Sequence, residues 1–336
     1  MTSATVRRLL ATTVVMSTTV LAAEPQRVLT QRQAYVMGTR VELSAFAATR
    51  AEGLKSLETA LATLEAADAE LSTWKAASEM SAINRMPVGR PRALQPSLCG
   101  VFLVLFAWHT ASGGAFDPGI GALTDAWAIH ESGRTPSDRE LHLARARSGL
   151  RLFDFDRDRC TLTRKDDARM DVGAFGKGEA LDRVAAKLRS VPWMIDFGGQ
   201  VAVGSVPPGR DSWDVRVAHP NDRTRGIITV RMKSGSLSTS SGSERDHHVD
   251  GTRIGHHLDP RTGRPATYDG AVVVWHERSL VADILSTVLY VMGPDEGVQW
   301  AEAHGIAAAY LIPAGDGVRT AATKAFAQLM PTIEQE

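Results

Sequence analysis

The stretch "DVGAFGKGEALDRVAAKL", residues 171–188, constrains the fold more than any other part of the chain. Asp171 opens it, Gly173, Gly176 and Gly178 follow, Lys177 sits between the last two, and an amphipathic helix pattern begins at once. Glycine lacks the Cβ that keeps other groups off the backbone, so glycines ahead of a helix leave its start open to close approach. The spacing is neither the GxxxxGK[ST] of a phosphate-binding loop nor the GxGxxG of a dinucleotide fold, so neither of those nucleotide-binding architectures is indicated. On local sequence alone the stretch fits equally a strand-to-helix turn in which Asp171 and Lys177 form salt bridges.

The flanking segments read as an α+β chain. "AYVMGTRVELSAFA" (34–47) alternates enough for an early strand, and residues 48–72 carry Leu54, Leu57, Leu61 and Leu64 at helical spacing. "PSLCGVFLVLFAWHTASGG" (96–114) reads as a buried helix stopped by Gly113 and Gly114. "RSGLRLFDFDRDRCTLTRK" reads as a hairpin turning at "DRD", and "PWMIDFGGQVAVGS" as a buried strand broken by a glycine pair. "DSWDVRVAHP", "GIITVRMKSGSLSTS" and "HHVDGTRIGHHLDP" suggest an antiparallel meander. "DGAVVVWHE" is a strand, "SLVADILSTVLYVMG" a helix ending at Gly293, "GVQWAEAHG" another helix, and strands close the chain. Helices and strands alternate without a regular strand–helix–strand rhythm and without an internal repeat, which predicts one α+β domain over residues 27–333.

Ahead of that domain, "MTSATVRRLLATTVVMSTTVLAAEPQ" places the basic pair Arg7 and Arg8 before an apolar run and small residues. That is the pattern of a secretory signal, assigned to residues 1–23 with cleavage near Ala22 or Ala23, and it predicts a periplasmic protein. The run is shorter than the roughly 20 apolar residues a membrane-spanning helix needs. Cys99 and Cys160 lie in the exported part; one disulfide suits an oxidising compartment, and two buried thiols fit as well. No Cys/His metal spacing is present. The 38 basic and 38 acidic residues cancel, which removes the electrostatic argument for nucleic acid or an anionic membrane as partner.

Three segments can carry chemistry. In "SGGAFDPGIGALTDAW" (112–127), glycines surround Ala115, Phe116 and Asp117, and a turn there can present an aromatic ring and a carboxylate to a ligand. In "IGHHLDPRTGRPA" (254–266), His256 and His257 stand beside Asp259 in a turn-rich sequence, and histidine accepts protons near neutral pH. In "SLVADILSTVL" (279–289), Asp283 and Thr287 are four apart and share one helix face among apolar neighbours. A carboxylate so placed needs a partner, and Mg²⁺, a hard cation that takes oxygen ligands, supplies one. Each segment also has a plain reading: a turn, a solvated histidine loop, a capping or surface Asp.

In this order the segments resemble the ApbE family, the FAD:protein FMN transferases. "LSTWKAASEMSAIN" resembles the family's "FSTYxPxSExSxxN", "GAFDPGIG" its "GAFDPTVG", and "DVGAFGKGEALD" its "DLGGIAKGYAVD". "MIDFGGQVAVGS" resembles "LVNIGGDIxxxG", "LSTSSGSER" resembles "xATSGxYER", and "HHLDPRTGRP" resembles "HIIDPRTGxP". The similarity runs from "MGT" (37–39) to the "ADILSTVL" helix.

The resemblance implies a single T-fold-like domain with two lobes and the flavin in the cleft between them. It implies an enzyme that takes FAD and Mg²⁺, breaks the pyrophosphate, moves FMN through a phosphoester bond onto a Thr or Ser hydroxyl and releases AMP. The implied targets are subunits of membrane-associated redox complexes of the Nqr, Rnf or nitrous-oxide-related type. By the match, Asp171, Lys177, Met37, Trp74, Ala115, Phe116, Asp117 and His257 contact FAD. Ala174 through its carbonyl, Asp283 and Thr287 hold Mg²⁺, with Ser286 adjacent. His256 is the candidate general base, with Asp259 beside it. The chain departs from the pattern at Trp74 (a tyrosine in the family), "AASE" for "PxSE", His257 (apolar in the family) and Ser243 (a tyrosine). These departures leave the metal motif intact and bear on flavin stacking and on transfer against hydrolysis. The competing readings are a Mg²⁺-dependent FAD pyrophosphatase yielding FMN and AMP, and a non-catalytic flavin carrier.

Overall fold

The alternating run 34–47 is not one strand but most of a hairpin. Met37 (φ 48°) and Gly38 (φ 67°) both take the left-handed conformation, the two-residue turn whose twist matches paired strands. They join β1 (Val28–Val36) to β2 (Thr39–Ala47). The same device recurs at Gly198 (φ 61°) and Gly199 (φ 90°), which join β3 (Trp193–Phe197) to β4 (Gln200–Val203). In the computed structural model, which describes residues 27–242, 246–249, 251–315, 317–329 and 332–333, these strands begin an eight-stranded sheet. The expected secretory signal, residues 1–23, lies outside the described residues.

The sheet continues with β5 (Gly235–Ser241), β6 (Ala271–His276), β7 (Ala307–Ala314) and β8 (Gly317–Ala322). Its spatial order is its chain order, and every neighbouring pair is antiparallel. Antiparallel neighbours need no helical crossover. Helices are therefore insertions between strands, which is why the sequence shows no regular alternation. Between β2 and β3 lie α1 (Arg50–Leu71), α2 (Pro96–Ala111) and α3 (Gly176–Lys187); between β6 and β7 lies α4 (Ser279–Ala303), interrupted at Gly293 (φ 72°) before Pro294. The "meander" expected over 211–259 divides. Strands Trp213–His219 and Asp222–Met232 form a separate sheet with Thr332–Ile333, while β5 returns to the main one.

Helix α1 starts at a capping box in which Thr49 and Glu52 bond each other's backbone N–H. It buries Gly53, Leu57, Ala60, Leu64, Ala67 and Leu71, leaving Leu54 exposed and Leu61 half-buried. The buried face is thus rotated from the plain leucine stripe, because its small residues let the helix lie close to the sheet. A Cβ at Gly53 would stand 2.3 Å from Thr30 Oγ1.

Both faces of the sheet are covered. On one, Leu43, Ile195 and Phe197 pack with Leu57, Leu64, Phe102, Phe175 and Ile284 of the helical layer. On the other, Leu237, Val273 and Leu311 pack with Val215 and Val230 of the smaller sheet. In β6 the residues alternate, Val272 and Val274 toward Leu285 and Leu289 of α4, Ala271 and Val273 toward the small sheet. That accounts for the unbroken apolar run "AVVVW". Cys99 and Cys160 are disulfide-bonded, which decides between the two cysteine readings and ties the first turn of α2 to the hairpin Phe153–Asp156/Thr161–Arg164.

Candidate active site

The close approach allowed by the glycine-rich stretch is, at Gly178, that of another helix. A Cβ there would meet Ser279 O at 2.4 Å, Leu280 Cα at 2.7 Å and Asp283 Cβ at 2.8 Å, so only glycine lets α3 lie against α4 at this point. The contact brings the Gly178 backbone N–H to Asp283 Oδ2 (2.9 Å) and Lys177 Nζ to Asp283 Oδ1 (3.3 Å). The Asp283 side chain is 6% exposed, and this donor pair is the partner its burial requires. Asp171 therefore does not pair with Lys177. Its Oδ1 accepts from Gly173 N (2.7 Å), turning the chain toward α3, and its Oδ2 meets His130 Nε2 at 2.7 Å.

Above this contact lies a cavity of about 430 Å³. Asp171, Ala174, Lys177, His256, His257, Asp283 and Thr287 all line it, seven sequence-predicted residues from three distant segments. The wall also includes the β1–β2 turn at Tyr35, Gly38, Thr39 and Arg40, Gly198, Arg223, Thr239–Ser241 of β5, and His130.

Other predicted residues stand elsewhere. Ser286 is fully buried and belongs to a hydroxyl chain: it meets Ser238 Oγ (3.0 Å), accepts from Ser240 Oγ (2.9 Å) and donates to Asp283 O (3.0 Å). Ala115, Phe116 and Asp117 are buried. Asp117 accepts from Gly119 N (2.8 Å) and Leu150 N (2.9 Å) and stands 3.4 Å from His109, shaping the loop rather than lining the cavity. Burial raises its pKa, and His109 and the backbone donors oppose the rise. Met37 forms the β1–β2 turn. Trp74 is 70% exposed and packs edge-on against His130, its ring centroid 5.2 Å away, beside the cavity. Asp259 is held by Arg261 Nε (3.0 Å) and by the Arg261 backbone N–H (2.8 Å), and it does not orient His256.

The carboxylate that does meet His256 is Asp246, which the motifs did not single out. Asp246 Oδ1 accepts from the His256 backbone N–H (3.0 Å) and lies 2.8 Å from Nδ1, while Oδ2 accepts from Arg253 Nε (2.6 Å). Burial works to raise the Asp246 pKa, but the His256 and Arg253 hydrogen bonds outweigh it and hold the carboxyl below its usual range. His257 sits between His256 and Tyr290, with centroids 4.0 Å and 4.4 Å away and the ring planes tilted by 40° and 39°. His130 was also missed, having no motif around it.

Ala174, Asp283 and Thr287 line one cavity, and a carboxylate, a hydroxyl and a backbone carbonyl are the oxygen ligands a hard divalent cation takes. Among the described residues no group of three or more His, Cys, Asp or Glu forms a metal cluster. Protein ligands so few suit a cation that completes its shell with water and substrate phosphate.

The family model described as the ApbE family matches residues 37–311. The FAD:protein FMN transferase of Klebsiella pneumoniae (strain 342) is 28% identical over 311 residues, 89% of this chain and 88% of that protein. The ApbE protein of Thermotoga maritima superposes with a TM-score of 0.82 at 25% identity, covering 93% of this chain and all of that one. The apo flavinyl transferase ApbE of Pseudomonas stutzeri gives 0.80 at 26% identity, covering 90% and 97%. With the family model covering most of its length and its fold matched by solved members, this chain belongs to the ApbE family.

Proposed function

We propose that the protein is a Mg²⁺-dependent FAD:protein FMN transferase of the periplasm. The observation that carries this reading is the convergence of Asp171, Ala174, Lys177, Asp283, Thr287 and His256 on one cavity; relatives carrying that activity in their names support it. In the reaction, the hydroxyl oxygen of a target Thr or Ser attacks the FMN phosphorus of FAD. A new P–O ester bond forms, the pyrophosphate P–O bond breaks, and AMP leaves. Asp283, Thr287 and the Ala174 carbonyl would hold Mg²⁺. When bound, it neutralises phosphate charge. Lys177 keeps a second cation at the same wall, and His256 takes the proton of the attacking hydroxyl, an effect typically worth about 10²–10⁴-fold. Asp171, fixed by Gly173 N and His130, presents a carboxylate to the nucleoside part of FAD. The targets are redox subunits of the Nqr, Rnf or nitrous-oxide-related type, and the residue 1–23 signal would deliver the enzyme to them.

The test is to incubate the protein with FAD, Mg²⁺ and a candidate target, then weigh the target by mass spectrometry. A gain of one FMN less water, lost when EDTA is added, is expected. Free FMN and AMP with an unmodified target would make the protein a pyrophosphatase instead, and FAD unchanged over hours would make it a carrier.

A further inference from the structure

The hairpin Asp246–Ile254 places a buried carboxylate behind a histidine that lines the cavity. Strand His247–Val249 pairs antiparallel with Thr252–Ile254, His247 opposite Ile254. Extending that register by one residue sets Asp246 beside Gly255 and His256. The Asp246 side chain is 2% exposed and the His256 side chain 19% exposed, so the acid is inside and the ring at the cavity wall. An ionised carboxylate only accepts hydrogen bonds. Its contact with Nδ1 therefore makes Nδ1 the donor, and the neutral ring then carries a bare lone pair at Nε2, the nitrogen away from Asp246. Arg253 Nε, bonded to the other oxygen of Asp246, keeps that carboxylate from rotating.

We propose that Asp246 is a positioning residue for the transfer reaction: it fixes His256 in the tautomer whose Nε2 accepts the proton of the target hydroxyl. The inference rests on the transferase reading above. The groups around the ring are consistent with this assignment. The His257 ring packs against it at a tilt and Tyr290 lies behind His257, the Tyr290 hydroxyl pKa pushed up to about 12 by burial and the group thus neutral. Arg253 stands beyond Asp246 and also reaches the Tyr290 hydroxyl (3.4 Å), while Asp171, Lys177 and Asp283 line the same cavity. Asp259, three residues after His256, is engaged by Arg261 and does not compete.

The first measurement is the ring ¹⁵N spectrum of the resting protein labelled at histidine, with the His256 signals identified by their loss in His256→Gln. A protonated Nδ1 and bare Nε2 are expected; a protonated Nε2 in the neutral ring would overturn the proposal. The second compares Asp246→Ala and Asp246→Asn with wild type. Asp246→Ala should lower kcat for FMN transfer on the order of 10²-fold while the FAD dissociation constant stays within about threefold. Asp246→Asn still offers one oxygen for the His256 backbone N–H and so guards against local unfolding; it should lower kcat as well, because its NH₂ sets a donor against either Arg253 Nε or the His256 ring and removes the charge that holds Nδ1 protonated. A kcat within about threefold of wild type in both variants, or a loss of FAD affinity in proportion to kcat, would reduce Asp246 to a structural residue. Wild-type protein that never modifies a target would sink the transferase reading alone, because the tautomer is read without substrate.

Discussion

At the scale of single residues, the site depends on how each buried polar atom is satisfied. Asp283 does two things at once: it faces the cavity, and it holds Gly178 N–H and Lys177. Asp283→Ala would strand both donors, so its loss of activity could be read as structural damage. Asp283→Asn is the sharper change, since it keeps an acceptor for Gly178 N–H while removing the charge and replacing the oxygen that accepts from Lys177 with an amide donor. We predict that it abolishes metal-dependent transfer and lowers stability by about 1–3 kcal/mol, the cost of poorly satisfying a buried group. Turnover at the wild-type rate would remove Asp283 from the metal site. Ser286 gives the complementary case. Its hydroxyl is committed to Ser238, Ser240 and the Asp283 carbonyl, none of which is a ligand from solution. Ser286→Ala should therefore cost about 1–2 kcal/mol in stability but leave the Mg²⁺ concentration for half-maximal rate within a few-fold. A tenfold or greater rise in that concentration would return Ser286 to the ligand set.

At the scale of elements, the α3–α4 contact sets the site's geometry. Gly178→Ala puts a methyl group within 2.4–2.8 Å of three α4 atoms, two of them backbone, that cannot swing away. Overpacking of this kind costs about 1–3 kcal/mol, and here it also pushes Asp283 from Gly178 N–H. We predict a melting temperature several degrees lower and a larger loss in rate than in FAD affinity. An unchanged melting temperature would mean the helices part without cost. The same contact shows what the sequence could and could not disclose. The glycine-rich stretch announced a close approach correctly, but glycine spacing does not say whether ligand or helix arrives. The Asp283/Thr287 face was legible because helical periodicity is local. Asp246 was not, because the partner of His256 lies ten residues upstream and is set by strand register. One signal was present: "VDGT" carries the Asp-Gly pair typical of two-residue hairpin turns, and Gly251 has φ 75°. Pairing Val249 with Thr252 on that basis brings 246 alongside 255. The β1–β2 hairpin escaped for the opposite reason, since Met-Gly is a poor turn signal and only the structure shows Met37 at positive φ.

At the scale of the whole molecule, a sheet whose spatial order follows the chain leaves its helical insertions to be held by packing and by one covalent link. The Cys99–Cys160 bond joins α2 to a hairpin outside the main sheet, across a sequence separation of 61. Closing a loop of that length removes chain entropy from the unfolded state worth about 4 kcal/mol in the simplest model. For a domain of this size each kcal/mol moves the melting temperature by roughly 2–4 °C. We predict that Cys160→Ser, or reduction, lowers the melting temperature by about 10 °C. The rate at 25 °C should change only a few-fold, because neither cysteine lines the cavity. Disulfides persist in oxidising compartments, so the bond offers a test of the proposed export. Protein recovered from the periplasm and denatured without reductant should show no reactive thiol, and the same chain made without residues 1–23 in a reducing cytosol should show two and melt at the lower temperature. Two thiols in the periplasmic material, or equal melting temperatures for the two preparations, would separate the bond from both stability and export.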